Sequence, residues 1–169
     1  MKVFIDCGAF DGRSVRNFRK LYKDSGDFKI YCFEPDTPDL IKEEGVEVIN
    51  KAVSDRYCKT LLFIGDPQSS SLYSLKTTGN VDPANYKIVK CIDLSSWIKS
   101  NFKPTDTIIL KLNVEGAEYP ILKKLAADGI LDWFNQLYVN WHWNKIGMSK
   151  KEHDEVAKIC KTKTWRIEK

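Results

Sequence analysis

The residues best able to do chemistry come early: Asp6-Cys7-Gly8-Ala9-Phe10-Asp11-Gly12, with Ser14 just beyond. Glycines at 8 and 12 let the backbone turn tightly and approach a ligand with no Cβ in the way. A helix starting after them offers unpaired N–H groups. Glu34, followed by Pro35, closes the next apolar run, Lys29–Phe33. A carboxylate at that place beside the turn can accept both hydroxyls of a ribose. The P-loop spacing G-x-x-x-x-G-K-[ST] is absent, and G-x-G-x-x-G fails at Phe10 and Arg13. An acid at position 6 repels a pyrophosphate but suits an ammonium or sulfonium group, which points to S-adenosyl-L-methionine. An ordinary strand-to-helix turn explains the glycines alone; it does not explain Asp6 and Glu34 together.

A second group is Lys111-Leu112-Asn113-Val114-Glu115-Gly116-Ala117-Glu118, at the end of an aliphatic run. Alternation along a strand sets Lys111 and Asn113 on one face and the leucines on the other. Glu115 then falls past the strand end, so three polar groups crowd one crest. A lone buried lysine would be an ion-paired structural group; the trio favours function. Of two histidines, His142 follows the run Gln136–Trp141 and is expected to reach the same crest, whereas His153 falls on a late helix and is expected in solvent. His142 is the candidate general base, with Glu115 orienting it or a substrate and Lys111 steadying charge. The competing reading packs His142 as a ring between Trp141 and Trp143.

Elements that could position these groups are legible from periodicity. Short buried runs (Val3–Ile5, Lys29–Phe33, Val46–Val53, Cys58–Ile64, Tyr86–Cys91, Thr107–Val114, Gln136–Trp141, Thr164–Ile167) read as strands. Ser14–Lys23, a start at Thr37-Pro38, Leu94–Ile98 capped by Asp93, Ala117–Ala127 and a capping box Ser149–Glu152 read as helices. Gly65–Asn85 reads as loop. This alternation predicts an α/β fold, a mostly parallel twisted sheet with helices on both faces, and a ligand at the carboxyl ends of the strands.

Composition removes other classes. A chain of 169 residues, 43% hydrophobic and 30% charged, is enough for a single domain over 1–169 and too little for two ordinary cores. Apolar runs are too short to span a membrane, and Asp6 interrupts any signal-like start. A net charge of +4, spread along the chain, lacks the dense basic patch of a nucleic-acid binder. Five widely spaced cysteines with no C-x-x-C predict reduced thiols and a cytoplasmic setting.

Val3–Gly12, Cys32-Phe33-Glu34-Pro35-Asp36, Lys51-Ala52-Val53-Ser54-Asp55, Ser69-Ser70-Ser71-Leu72 and Leu110–Glu118 occur in the order seen in FkbM-type methyltransferases, which the chain resembles over nearly its whole length. The run K-x-x-V-E-G-A-E together with F-E-P is the more specific part. The resemblance implies a Rossmann-like class I fold and S-adenosylmethionine-dependent O-methylation of a sugar, a glycan or another small molecule. It also implies that Asp6, Gly8, Ala9 and Gly12 hold the methionine end, that Glu34 binds the ribose, and that Ala52, Val53 and Ser54 lie near the adenine. Phe10, Asp11, Ser14, Pro35 and Asn113 complete the expected cofactor site.

Two departures stand out. The family commonly carries Asp where this chain has Asn113, and Glu-x-His where it has Asn140-Trp141-His142. Both remove a carboxylate that a hard cation would want, so no metal is expected. They also keep a second function open, a catalytically silent cofactor-binding or accessory subunit. The chain begins almost on its first strand, so walls for an acceptor are expected from Gly65–Asn85, from Trp143–Ser149, or from a companion domain or chain of a glycan-building enzyme.

Overall fold

The computed structural model describes residues 1–160. Five parallel strands form the main sheet in the order β3-β2-β1-β7-β8: β1 (Lys2–Cys7), β2 (Phe28–Phe33), β3 (Val46–Ile49), β7 (Thr107–Leu112) and β8 (Phe134–Val139). Three further strands, β4 (Ala52–Ser54), β5 (Cys58–Phe63) and β6 (Tyr86–Asp93), make a second sheet in the order β4-β6-β5, with β5 antiparallel. The α/β, Rossmann-like character expected from the alternation is present. β1 lies between β2 and β7, so strand order reverses there and a crevice opens at the carboxyl ends.

Each strand of the main sheet feeds two cores. Phe4, Cys32, Ile30 and Ile109 face α1 (Arg13–Leu21), which contributes Val15 and Phe18. Phe18 stacks on Phe4 with ring centroids 4.2 Å apart. The opposite face of Val3, Ile5, Leu110 and Leu112 packs against α2 (Leu94–Asn101), α3 (Glu118–Ala127) and α4 (Lys150–Ile159). Helices therefore cover both faces. The Asp93 side chain caps α2 by accepting the Ser96 N–H, and Ser149 with Glu152 closes a capping box on α4. Each cap satisfies a donor that the helix cannot.

Three expectations change. Val46–Val53 is not one strand. It breaks after Ile49, where the Lys51 N–H turns back to the Ile49 carbonyl, and β3 and β4 then join different sheets. Thr37-Pro38 starts only a single 3₁₀ turn, Pro38–Leu40, with no side-chain cap. The local signals were present, but Asp39 and Leu40 are exposed and no apolar stripe follows to be buried. His153 is half-buried rather than solvent-exposed: Trp143 stacks on it, Trp141 meets it edge-on at 4.9 Å, and its Nδ1 bonds the Tyr119 hydroxyl. Thr164–Ile167 lies outside the described residues. Among those described, no helix is long and apolar enough to cross a membrane.

Candidate active site

The glycine turn is built by close approach. Gly8 sits at φ +77°, and a Cβ there would lie 2.0 Å from the Asn113 carbonyl oxygen, so only glycine fits between β1 and the end of β7. Its N–H donates to the Phe33 carbonyl, while Gly12, at φ +78°, turns the chain into α1. Glu34 locks this turn onto β2. Its Oε2 accepts the Phe10 N–H at 2.8 Å, and its Oε1 accepts those of Asp36 (2.8 Å) and Thr37 (3.2 Å). A carboxylate has about four acceptor positions, so roughly one remains, on Oε2.

Beneath the turn lies a buried ion pair. Lys111 Nζ donates to Asp6 Oδ1 and to the Gly8 carbonyl, both at 2.8 Å, with Asp6 fully buried and Lys111 nearly so. Here the structure corrects the sequence reading. Asp6 does not line the cleft; its Oδ1 is taken by Lys111, the residue directly opposite it in the β1–β7 register, while its Oδ2 is buried without a hydrogen-bond partner among the described residues.

At the end of β7 the chain passes through Glu115 at φ +53° and Gly116 at φ +119°. Glu118, the first residue of α3, folds back so that Oε1 accepts the Val114 N–H and Oε2 the Gly116 N–H, both at 2.9 Å. The same Oε1 takes His142 Nδ1 at 2.8 Å, and Glu115 Oε1 stands 3.2 Å from His142 Nε2. Lys76, reaching in from the 65–85 loop, bonds Glu115 Oε2 at 2.8 Å and the Ser69 carbonyl at 2.8 Å. Burial disfavours the charged imidazole, but the two carboxylates outweigh it and lift the His142 pKa to about 9. Burial likewise opposes ionisation of Glu115, and His142 with Lys76 overcomes it, bringing its pKa to about 2. Both groups are therefore ions at neutral pH.

These walls line a solvent-open cleft at the carboxyl ends of β1, β2 and β7, of ≈ 850 Å³ counted out to its mouth. Gly8, Ala9, Phe10, Asp11 and Ser14 line one side, with Glu34 and Pro35 next to them. Ala52, Val53, Leu62 and Leu72 supply an apolar wall, and Asn113, Glu115 and Lys111 the crest. Among the described residues, four non-glycine residues have positive φ, and three of them, Phe10, Gln68 and Glu115, line this cleft. Backbone strain persists where surrounding structure over-determines it, and here it gathers around one cavity.

Of the residues expected at the site, four lie off the cleft: Asp6; Gly12, which packs on Glu43; Ser54, whose hydroxyl donates to Asp55; and His142, behind Glu115. A general base needs a free lone pair, and both His142 nitrogens already face carboxylates. Trp141 and Trp143 pack on the core and on His153 rather than lining the cleft. The Gly65–Asn85 loop does supply a wall, through Gln68, Ser70, Ser71 and Leu72; Trp143–Ser149 does not. Lys76 and the capping role of Glu118 were not foreseen. Nothing marks a lysine in a polar loop as buried, whereas an acid in the first turn of a helix was a signal available for Glu118.

No curated protein and no solved structure matches the chain. The family model of the methyltransferase FkbM domain matches residues 6–163. With the cleft where the parallel strands end and that match spanning nearly all of it, the chain belongs to the FkbM methyltransferase family.

Proposed function

We propose that this cleft binds S-adenosyl-L-methionine and that the chain methylates a hydroxyl of a sugar, a glycan or another small molecule. The residues present fit that cofactor. The remaining acceptor position on Glu34 suits a ribose hydroxyl, and Ala52, Val53, Leu62 and Leu72 suit the faces of a purine. When bound, the cofactor supplies an activated methyl on a sulfonium; positioning and proton removal are left to the protein. Holding both reactants in line can contribute about 7–11 kcal/mol.

The observation that carries the reading is that Glu34 and Glu115 line one cleft from beyond the ends of β2 and β7, the two strands that flank β1, one suited to a ribose and one to an acceptor. Glu115 is the better candidate than His142 to take the acceptor's proton. Each of its oxygens has one partner, so each keeps an acceptor position. A hydroxyl becomes strongly acidic as its oxygen gains the bond to the methyl carbon, so a weakly basic carboxylate suffices. His142 and Lys76 then fix that carboxylate, Lys111 holds the Gly8 carbonyl, and the Asn113 amide can orient the hydroxyl. Five free cysteines support a reducing, cytoplasmic setting, and the modest net charge favours a small acceptor over nucleic acid.

The test is incubation with S-adenosylmethionine and a panel of sugars and glycans, following S-adenosylhomocysteine by chromatography. Turnover is expected, and Glu115→Gln lowers it by about 10²-fold or more with product affinity retained. Product affinity without turnover on any acceptor would favour the silent accessory subunit; no affinity at all would remove the cofactor assignment.

A further inference from the structure

The five cysteines are far apart in the chain, yet the β5–β6 register sets two of them face to face: Cys58 lies directly opposite Cys91. Residues so placed in an antiparallel ladder have Cα atoms about 4.5–5.5 Å apart, inside the roughly 4.4–6.8 Å that a disulfide spans. Both side chains fall on the same face of the small sheet, where they join Ala52, Leu62 and Val89 in one apolar cluster. Cys91 is also the register partner of Ala52 on β4, so Ala52, Cys91 and Cys58 form one row across that sheet. Ala52 and Leu62 carry the cluster to the cleft wall.

Exposure separates this pair from the other thiols. Cys7 and Cys32 are fully buried and Cys160 nearly so, whereas Cys58 alone is partly open to solvent. Burial pushes the Cys91 thiol up, and the neighbouring Cys58 adds to it, to about 12. Cys91 therefore stays protonated and is shielded from solvent. A reachable thiol beside a second, buried one is the arrangement of a redox-sensing pair, while an isolated core thiol is inert. The chain between the two cysteines holds the rest of β5, the 65–85 loop and most of β6. A bond between them closes a ring around the residues that wall the cleft, Gln68, Ser70, Ser71 and Leu72, and around Lys76 on Glu115.

We propose that Cys58 is an oxidation site for hydroperoxides and that Cys91 resolves it, so that a reversible disulfide latches the root of the loop walling the cleft. The Cys58 thiolate attacks the peroxide, whose O–O bond breaks; the sulfur is oxidised to a sulfenic acid and the far oxygen leaves, protonated, as water or an alcohol. The Cys91 sulfur then forms the S–S bond as the Cys58 S–O bond breaks, and the Cys91 proton departs with that oxygen as water. Two thiols and one hydroperoxide thus give one disulfide, one water and a second water or alcohol. A small thiol reductant reverses the bond by exchange. Disulfides of cytosolic proteins are usually transient ones of this kind, which agrees with thiols that are free in the resting state. The latch goes beyond methyl transfer and does not depend on it.

The test treats the full chain with hydrogen peroxide, then counts thiols under denaturing conditions and maps the peptides. The wild type should lose two thiols and yield one linked peptide joining Cys58 to Cys91; Cys58→Ser should lose none. Cys91→Ser should stop at the Cys58 sulfenic acid and be labelled by dimedone, whereas the wild type stays largely unlabelled. Dithiothreitol should restore both thiols. In urea the oxidised wild type should unfold at a higher midpoint than the reduced form, because a closed ring constrains the unfolded chain, and peroxide should leave the Cys58→Ser midpoint unchanged. A sulfenic acid that persists in the wild type, or a disulfide joining two chains through Cys58, overturns the pairing. A linked peptide with no rise in midpoint overturns the latch.

Discussion

Lys76 reaches out of a polar loop to lie 2.8 Å from Glu115, with its side chain 1% exposed. That contact, with the Ser71 hydroxyl donating to the Glu115 carbonyl at 2.7 Å, fastens the 65–85 loop to the crest of β7. Ser70, bonded to Asp36 at 2.6 Å, fastens the same loop to the segment after β2. The loop thus spans both walls of the cleft. Lys76→Met leaves Glu115 with His142 alone, so the loss should sit near the low end of the cost of breaking a buried pair, about 3 kcal/mol. Urea unfolding checks it: a midpoint unchanged from wild type would show that the loop is held by its backbone and serines.

His142 gives the fold a pH dependence with a definite sign. Its folded pKa, about 9, lies above the ordinary 6.5, so its stabilisation is complete below 6.5 and is lost as pH rises through 9. The amount at stake is roughly 3 kcal/mol. Unfolding free energy should decline between pH 6.5 and 9 in the wild type and much less in His142→Asn. Turnover should show no acid limb near pH 6.5, which a neutral His142 base would produce.

Glu115 acts in the opposite sense. Its folded pKa, about 2, lies below the ordinary 4.5, so its contribution is present above 4.5 and lost as pH falls toward 2. Acid unfolding of Glu115→Gln should therefore be shallower between pH 4.5 and 2 than that of the wild type. Identical acid profiles would count against the ion pairs with Lys76 and His142.

Replacing Glu34 strikes structure and binding together. Glu34→Ala strands the Phe10, Asp36 and Thr37 N–H groups, each bond to a charged acceptor being worth about 1.5–3 kcal/mol before water replaces it. Affinity for S-adenosylhomocysteine should fall by about 10-fold or more. Glu34→Gln, which keeps the acceptor oxygen, should lose less; equal affinities in the wild type and both variants would place the ribose elsewhere.

The Asp6–Lys111 pair offers a cycle. Lys111→Met leaves a fully buried carboxylate uncompensated, at a cost of about 3–5 kcal/mol, whereas Asp6→Leu with Lys111→Met removes both charges and should cost distinctly less. Thermal melts of the single and double variants measure the difference. A double variant as unstable as the single one would mean that Lys111 matters mainly through its bond to the Gly8 carbonyl.

What the sequence determined by itself was whatever depends on near neighbours in the chain. Buried apolar runs marked β1, β2, β7 and β8 to within about two residues, Asp93 and Ser149 announced their helices, and Gly8 and Gly12 marked a turn needing positive φ. Glu34, at a strand end, could be placed at a sheet crest because a parallel sheet gathers all such ends on one side. Tertiary structure decided which charges meet. Asp6 faces Lys111 because β1 and β7 pair in that register; Lys76 is buried because a loop folds across the crest; and His142 is held between two carboxylates because β8 ends beside the start of α3. Charges act through space over a few ångströms, and no local pattern records which distant residue will be brought that close, or whether the partner will be a ligand or the chain itself.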